Sequence, residues 1–174
     1  MNYSFRKATI FEIPQIWAIL QQAIQRRKED GSNQWQDGYP NQDVVRKDVA
    51  ASQGFVLTDR ETIVGYAAVL LNDESEYARI KGKWLSNSDF VVFHRVALSQ
   101  SHLGKGLAQK IIENIEEFAK SNNIFSVKAD TNHDNKAMLK IFEKLGYSYC
   151  GTVTFRGSER KAFEKVLEKN NLKF

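Results

Sequence analysis

Apolar residues along this chain follow two periods, and each marks a kind of element. Residues 3–7 alternate well enough for a first strand. Thr9 and Glu12 have the spacing of a capping box. Ile13, Ile16, Trp17, Leu20 and Ile24 then recur at helical spacing. Pro14 is tolerated only near a helix start, and the cations Arg26, Arg27 and Lys28 suit its end. Residues 29–40 read as a loop and 42–53 as a short second helix. Gly54 opens a hairpin with strands over 55–58 and 63–71 around a turn at 59–61. Residues 72–76 are acidic and turn-rich. Tyr77, Ile80 and Trp84 have a mixed spacing that assigns no element, and 86–89 is a turn.

The second half is more regular. Residues 90–98, FVVFHRVAL, form an apolar strand, and 107–118 have helical spacing. Between them stands Gly104-Lys105-Gly106. A further strand over 124–131 leads to a helix over 132–145, with Ala137, Met138, Ile141, Phe142 and Leu145 on one face. Gly146 terminates that helix, and strands over 147–155 and 160–167 follow. Strands first cluster and then alternate with helices, which predicts an α/β fold with a mixed sheet. A length of 174 residues fits a single domain over 1–174.

Composition narrows the setting. Apolar content of 42% and charged content of 26% are ordinary for a globular protein. No apolar run is long enough to span a membrane, and residues 1–14 lack the apolar core of a signal peptide. One cysteine, Cys150, allows no internal disulfide and fits a reducing cytoplasm. It reads as a small buried hydrophobe rather than a nucleophile. His94, His102 and His133 lack metal-ligand spacing, so no metal site is expected. A net charge of +4 suits an anionic small molecule, and no basic run interleaves with aromatics as nucleic-acid binding would require.

Strand, glycine-bearing turn and helix together aim free backbone N–H groups and a helix dipole at one point, where a diphosphate is the natural occupant. A Walker A loop is excluded, because Gly106 follows Lys105 where Ser or Thr is needed. A dinucleotide fingerprint is weak, because Gln109 takes the place of its third glycine.

The stretch Leu103-Gly-Lys-Gly106-Leu-Ala108 resembles the pyrophosphate loop of the GNAT N-acetyltransferase superfamily, Gln/Arg-x-x-Gly-x-Gly/Ala, with Leu103 departing from it. Asn135-x-x-Ala-x-x-x-Phe142-x-x-Leu-Gly-Tyr147 is similar to the second signature of that family, and RKAT-x-x-x-IP to its usual opening. The resemblance implies a strongly twisted mixed sheet of six or seven strands flanked by about four helices, with acetyl-CoA as donor. It implies that the N–H groups of Leu103, Gly104, Lys105, Gly106, Leu107 and Ala108 hold the diphosphate. The edge Val96, Ala97, Leu98 would pair with pantetheine as an added strand. Asn135 would reach the same cofactor, or else cap its helix.

The implied reaction is direct acetyl transfer to a primary amine. A backbone N–H near Ala97 is the expected oxyanion donor. Two side chains are candidates for taking the amine proton. His94 lies on the central strand, where it could equally be a core residue. Asp130 ends the neighbouring strand, where it could equally cap a turn. Phe142 stands where many family members carry a tyrosine that protonates the leaving thiolate; solvent, Tyr149 or Cys150 would have to replace it. Trp35 and Tyr39 are candidates for the acceptor pocket, or for rings that anchor their loop. Walls are also expected from residues 66–84 and the last hairpin. The alternative function is a non-catalytic acyl-CoA-binding sensor. The expected partners are acetyl-CoA and an amine-bearing acceptor, with no nucleic acid or membrane and with a homodimer as the candidate assembly.

Overall fold

The computed structural model describes residues 2–169. Its elements begin with β1 (Tyr3–Lys7), α1 (Ile13–Glu29), α2 (Gln42–Ala50), β2 (Gly54–Asp59) and β3 (Thr62–Leu71). They continue with β4 (Lys81–Gly82), β5 (Val91–Leu98), α3 (Leu107–Ser121), β6 (Ser126–Thr131), α4 (Lys136–Leu145), β7 (Ser148–Phe155) and β8 (Ser158–Val166). The strands form one mixed sheet in the order β1-β2-β3-β5-β6-β8-β7-β4. The four helices are those expected, but the strands number eight rather than six or seven. The additional strand, β4, has two residues and is too short to show a period.

Backbone contacts divide the chain into two compact units. The first comprises the residues up to Val69 together with His94–Asn114. Its core gathers Ile13, Ile16, Ile19, Leu20 and Ala23 of α1 with Val45, Val56, Ile63, Tyr66 and Ala97. Fully burying a side chain such as Leu20 contributes about 1.5–3 kcal/mol. Glu12 Oε2 accepts from the Thr9 N–H at 2.7 Å, and Arg6 donates to both oxygens of that carboxylate. The expected capping pair therefore opens a 3-10 turn, Ile10–Glu12, and α1 follows with Pro14 in its first turn. The Asn41 side chain caps α2 by accepting from the Val44 N–H at 3.1 Å.

The second unit comprises Leu70–Phe93 and the residues from Ile115 on. Here β8 pairs antiparallel with both β6 and β7. Tyr77, Val92, Val153 and Ala162 form one core cluster, with Trp84, Phe90 and Phe155 packed against it. The unassigned residues around Tyr77 form a 3-10 turn, Ser75–Arg79, and the Trp84 Nε1–H donates to the Tyr77 carbonyl at 2.9 Å. Helix α4 begins at Lys136, later than expected, because Asn132, Asp134 and Asn135 form the turn before it. It ends at Gly146, whose φ of +79° is the left-handed conformation of a helix-terminating glycine.

Candidate active site

Strand β5 delivers the chain to the glycine turn. Its parallel register with β6 pairs Val91 with Val127 and Val92 with Lys128, the first two residues of the strand. Six residues remain, Phe93 to Leu98. Midway along them, Arg95 has φ +57°, a left-handed conformation uncommon for a non-glycine residue. Ala97 and Leu98 are buried; His94 and Val96 are half-buried.

The exit from β5 is pinned from α1. Arg26 Nη2 donates to the Leu98 carbonyl at 2.9 Å, and Nη1 to Gln100 Oε1 at 2.8 Å. The Gln100 N–H donates to Gln22 Oε1 at 2.8 Å, and the Ser99 N–H to the Val64 carbonyl at 2.9 Å. Burial lowers the Arg26 pKa, partly offset by Asp30 and Glu29. Gly65 admits the close packing behind the turn. A Cβ there would stand 2.8 Å from Ile111 Cδ1 and 2.9 Å from Leu98 Cδ2.

Beyond a 3-10 turn at Gln100–His102, Leu103 is extended, and Gly104 and Gly106 have φ +72° and +71°. Left-handed residues interleaved in a turn draw successive N–H groups toward one side. Helix α3 starts at once, and its first N–H groups have no carbonyl of their own helix to meet. Gly104, Lys105 and Gly106 are exposed, and a Cβ on either glycine would meet no protein atom within 4 Å. The glycines are thus required by backbone conformation, and the space above them is open.

A buried polar network, not foreseen from the sequence, fixes Arg95. Its guanidinium grips Asp48 of α2, Nε to Oδ2 at 3.0 Å and Nη2 to Oδ1 at 2.7 Å. Tyr66 donates to Asp48 Oδ2 at 2.6 Å, and Arg95 Nη1 donates to the Tyr39 hydroxyl. Burial by itself would lower the Arg95 pKa, but Tyr39, Asp48 and Tyr66 outweigh it and hold the pKa above the ordinary arginine value. Burial, followed by the Asp48 charge, pushes the Tyr66 phenol far above its usual range. Asp48 shares the inward face of α2 with Val45 and Val49, and a carboxylate among valines was the available signal. Tyr39 thus ties its loop to β5, and Trp35 packs on the core of the first unit.

Asp130 and Asn135 belong to the second unit. Asp130 Oδ1 accepts from the Tyr77 hydroxyl at 2.7 Å, and Oδ2 lies 3.7 Å from Arg160 Nη1. Burial, then the Asp130 charge, raises the Tyr77 pKa well above its ordinary value. Asn135 caps α4, its Oδ1 accepting from the Met138 N–H at 3.2 Å. The expectation for Phe142 changes. Its ring is 1% exposed and lies among Phe163, Tyr147 and Phe93, at centroid distances of 4.7, 5.3 and 6.2 Å. It is part of the core, so a tyrosine hydroxyl at this position would be buried among rings. Cys150 is buried and donates to the Ser148 carbonyl at 3.4 Å; burial raises its pKa. Among the described residues no His, Cys, Asp and Glu group could hold a metal ion, and no helix is long and apolar enough to cross a membrane.

Known proteins resemble this chain in sequence and fold. The family described as Acetyltransferase (GNAT) matches residues 17–147. A GNAT-family acetyltransferase of Streptococcus agalactiae 2603 is 35% identical, with a TM-score of 0.87 over 96% of each chain. YesJ, an uncharacterised N-acetyltransferase of Bacillus subtilis strain 168, is 22% identical over 78% of this chain and 76% of its own. The yncA protein of Salmonella typhimurium, solved with its cofactor acetyl-CoA, has a TM-score of 0.68 at 17% identity, over 97% of this chain and 96% of its own. With a match that spans both the glycine turn and the helix of Asn135, the chain belongs to the GNAT family of acetyltransferases.

Proposed function

We propose that this chain moves an acetyl group from acetyl-CoA directly to a primary amine. The observation that carries the reading is the turn Leu103–Leu107, with two left-handed glycines opening onto the N-terminus of α3. Exposed amides, open space above both glycines and the positive end of a helix dipole fit a diphosphate. Lys105 supplies a cation beside it, in place of the Gln or Arg that Leu103 replaces. Residues Val96 to Leu98 offer strand backbone to the pantetheine amides, and Asn135 serves as a second cofactor contact besides its cap.

Acetyl-CoA supplies an activated acyl group. During transfer the amine nitrogen bonds to the acyl carbon and the carbon–sulfur bond breaks. His94 takes the amine proton, the Ala97 N–H stabilises the oxyanion, and solvent protonates the thiolate. His94 ranks ahead of Asp130 because an imidazole suits proton transfer near neutral pH. Trp35 and Tyr39 fix the loop that borders the acceptor. The cell's cytoplasm is the setting that acetyl-CoA and a lone buried cysteine suit.

The test is release of free thiol from acetyl-CoA with a panel of primary amines, with the acetylated product identified by mass spectrometry. Turnover with any of them supports the reading. Tight acetyl-CoA binding without thiol release would instead favour the acyl-CoA sensor, which the sealed Phe142 ring also suits.

A further inference from the structure

Residues 30–41 join α1 to α2 and carry Trp35 and Tyr39. The first half of this loop is anchored to the helix it leaves. Arg27 of α1 donates from Nη2 to Ser32 Oγ at 2.8 Å and from Nε to Gln34 Oε1 at 3.1 Å. The Gln34 N–H donates to the same Ser32 hydroxyl at 3.1 Å, and the Gln36 side-chain amide to the Ile24 carbonyl at 3.0 Å. Ser32 and Gln34 are buried, so these bonds stand where water would otherwise serve. Trp35 has φ +62°. A bulky residue is an outlier in that conformation and persists only where its surroundings hold it. Its side chain packs on the core of the first unit.

The second half of the loop is anchored to β5. Arg95 Nη1 donates to the Tyr39 hydroxyl, across 56 residues of chain, and the guanidinium carbon lies 5.8 Å from the centre of the Tyr39 ring. The other two nitrogens, Nε and Nη2, are held by Asp48. One planar fork therefore meets two partners at once, a geometry that a lysine ammonium does not reproduce. Arg95 is also the left-handed residue of β5, and it follows His94 directly. Asp48 fixes the fork, the fork fixes Tyr39, and the same residue sets the backbone next to His94. All four residues belong to the first unit. A buried ion pair adds little stability over apolar side chains of the same volume. The fold alone is thus a weak reason for an arginine here, and the link to the loop is a better one.

We propose that Arg95 is a positioning residue: its link to the Tyr39 hydroxyl sets the place of the loop relative to His94, and so governs binding of the amine but not of acetyl-CoA. The proposal rests on the acetyltransferase reading, in which this loop borders the acceptor and His94 takes its proton. The diphosphate turn lies beyond the end of β5 and has no part in the link, so the two ligands should respond differently when it is cut.

Tyr39→Phe removes the hydroxyl, keeps the ring and leaves the Arg95–Asp48 pair in place. Thiol release is measured with phenethylamine, lysine and cadaverine as acceptors, and acetyl-CoA binding by calorimetry. The variant is expected to keep its acetyl-CoA affinity and its kcat, and to raise the KM of each amine that turns over about tenfold. Arg95→Lys keeps a charge beside Asp48 but loses the fork, so it should do the same. If both changes cut one link, the double variant loses no more than the worse single one. Affinity lost for both ligands or for neither, or losses that add in the double variant, overturns the proposal. Chymotrypsin gives a readout that needs no turnover. Cleavage after Trp35, identified by mass spectrometry, should be about tenfold faster in Tyr39→Phe, because the loop opens more often. Phenylalanine at position 39 adds no cleavage site, since Pro40 follows it. Cleavage at the wild-type rate overturns the proposal whether or not an amine turns over. Faster cleavage with no thiol release from any amine upholds the link and removes the transferase reading.

Discussion

Arg95 and Asp48 form a two-point ion pair in which the side chains are only 8% and 6% exposed. Breaking one side of such a pair leaves the other charge buried and unmatched, at about 3–5 kcal/mol. Asp48→Ala is therefore expected to lower stability by that amount in urea denaturation. Asp48→Ala combined with Arg95→Met should be less damaging than the sum of the single changes. Additive losses would mean that the two residues do not act as a pair.

The glycine turn predicts a separation of fold from binding. Valine at position 106 would strain φ +71° whatever the ligand, so it is a poor probe. Asparagine accepts that conformation and adds a side chain above the turn, where a Cβ meets no protein atom within 4 Å. Gly106→Asn should keep its melting temperature and lose at least about tenfold in acetyl-CoA affinity by calorimetry. Unchanged affinity in the folded variant would remove the diphosphate from this turn.

Proton transfer can be assigned by comparing rate with stability. His94→Ala should reduce kcat/KM about 10²- to 10⁴-fold in protein that remains folded. Asp130→Asn should instead show mainly as lost stability, about 1–3 kcal/mol, since it weakens the hold of Tyr77 and Arg160. A rate loss confined to Asp130→Asn in a fully stable protein would transfer the role of base to the carboxylate.

Phe142→Tyr puts a hydroxyl among Phe93, Tyr147 and Phe163. An unpaired buried hydroxyl costs about 1–3 kcal/mol, so thermal unfolding should come earlier, and kcat should not rise. A stable and faster variant would place this ring beside the leaving sulfur after all.

Lys128 gives a pH signature. It is buried, with its ammonium 4.2 Å from the Phe90 ring centre and 4.6 Å from that of Trp84, and burial lowers its pKa despite the opposing charge of Glu164. The unfolded chain then holds this proton more tightly than the folded one. Its contribution to stability rises with pH between the depressed folded pKa and the ordinary lysine value. The difference in stability between wild type and Lys128→Met, measured from neutral pH to about pH 10, should therefore move in favour of wild type as pH rises. A difference independent of pH would mean that the lysine titrates normally.

Residues whose neighbours in sequence repeat a period were readable without coordinates. The α1 stripe of Ile13, Ile16 and Leu20 and the β5 run from Val91 to Leu98 are cases, because burial of one face imposes the spacing. Capping and termination at Asn41 and Gly146 are likewise local chemistry. Strand β4 was not readable, because it exists through a glycine pair some seventy residues apart in the chain. The Asp48–Arg95 pair was half readable: Arg95 stands out in an apolar strand, but Asp48 follows Arg46 and Lys47, and only the fold matches the two charges. Phe142 looked like a replaced catalytic residue because a motif carries identity and says nothing of the side chains packed around it.

Gly82 of β4 faces Gly151 of β7, and this pairing bears on how the protein meets other chains. They seat β4 as the last strand of the sheet beyond β7, and β4 is only two residues long. Lys81 and Lys83 are exposed on either side of Gly82. A long, flat sheet edge invites a strand from another molecule, whereas a short, charged one gives it nothing to extend. The pairing thereby covers the middle of β7, from Cys150 to Thr152, with a segment too short and too charged to template an aggregate.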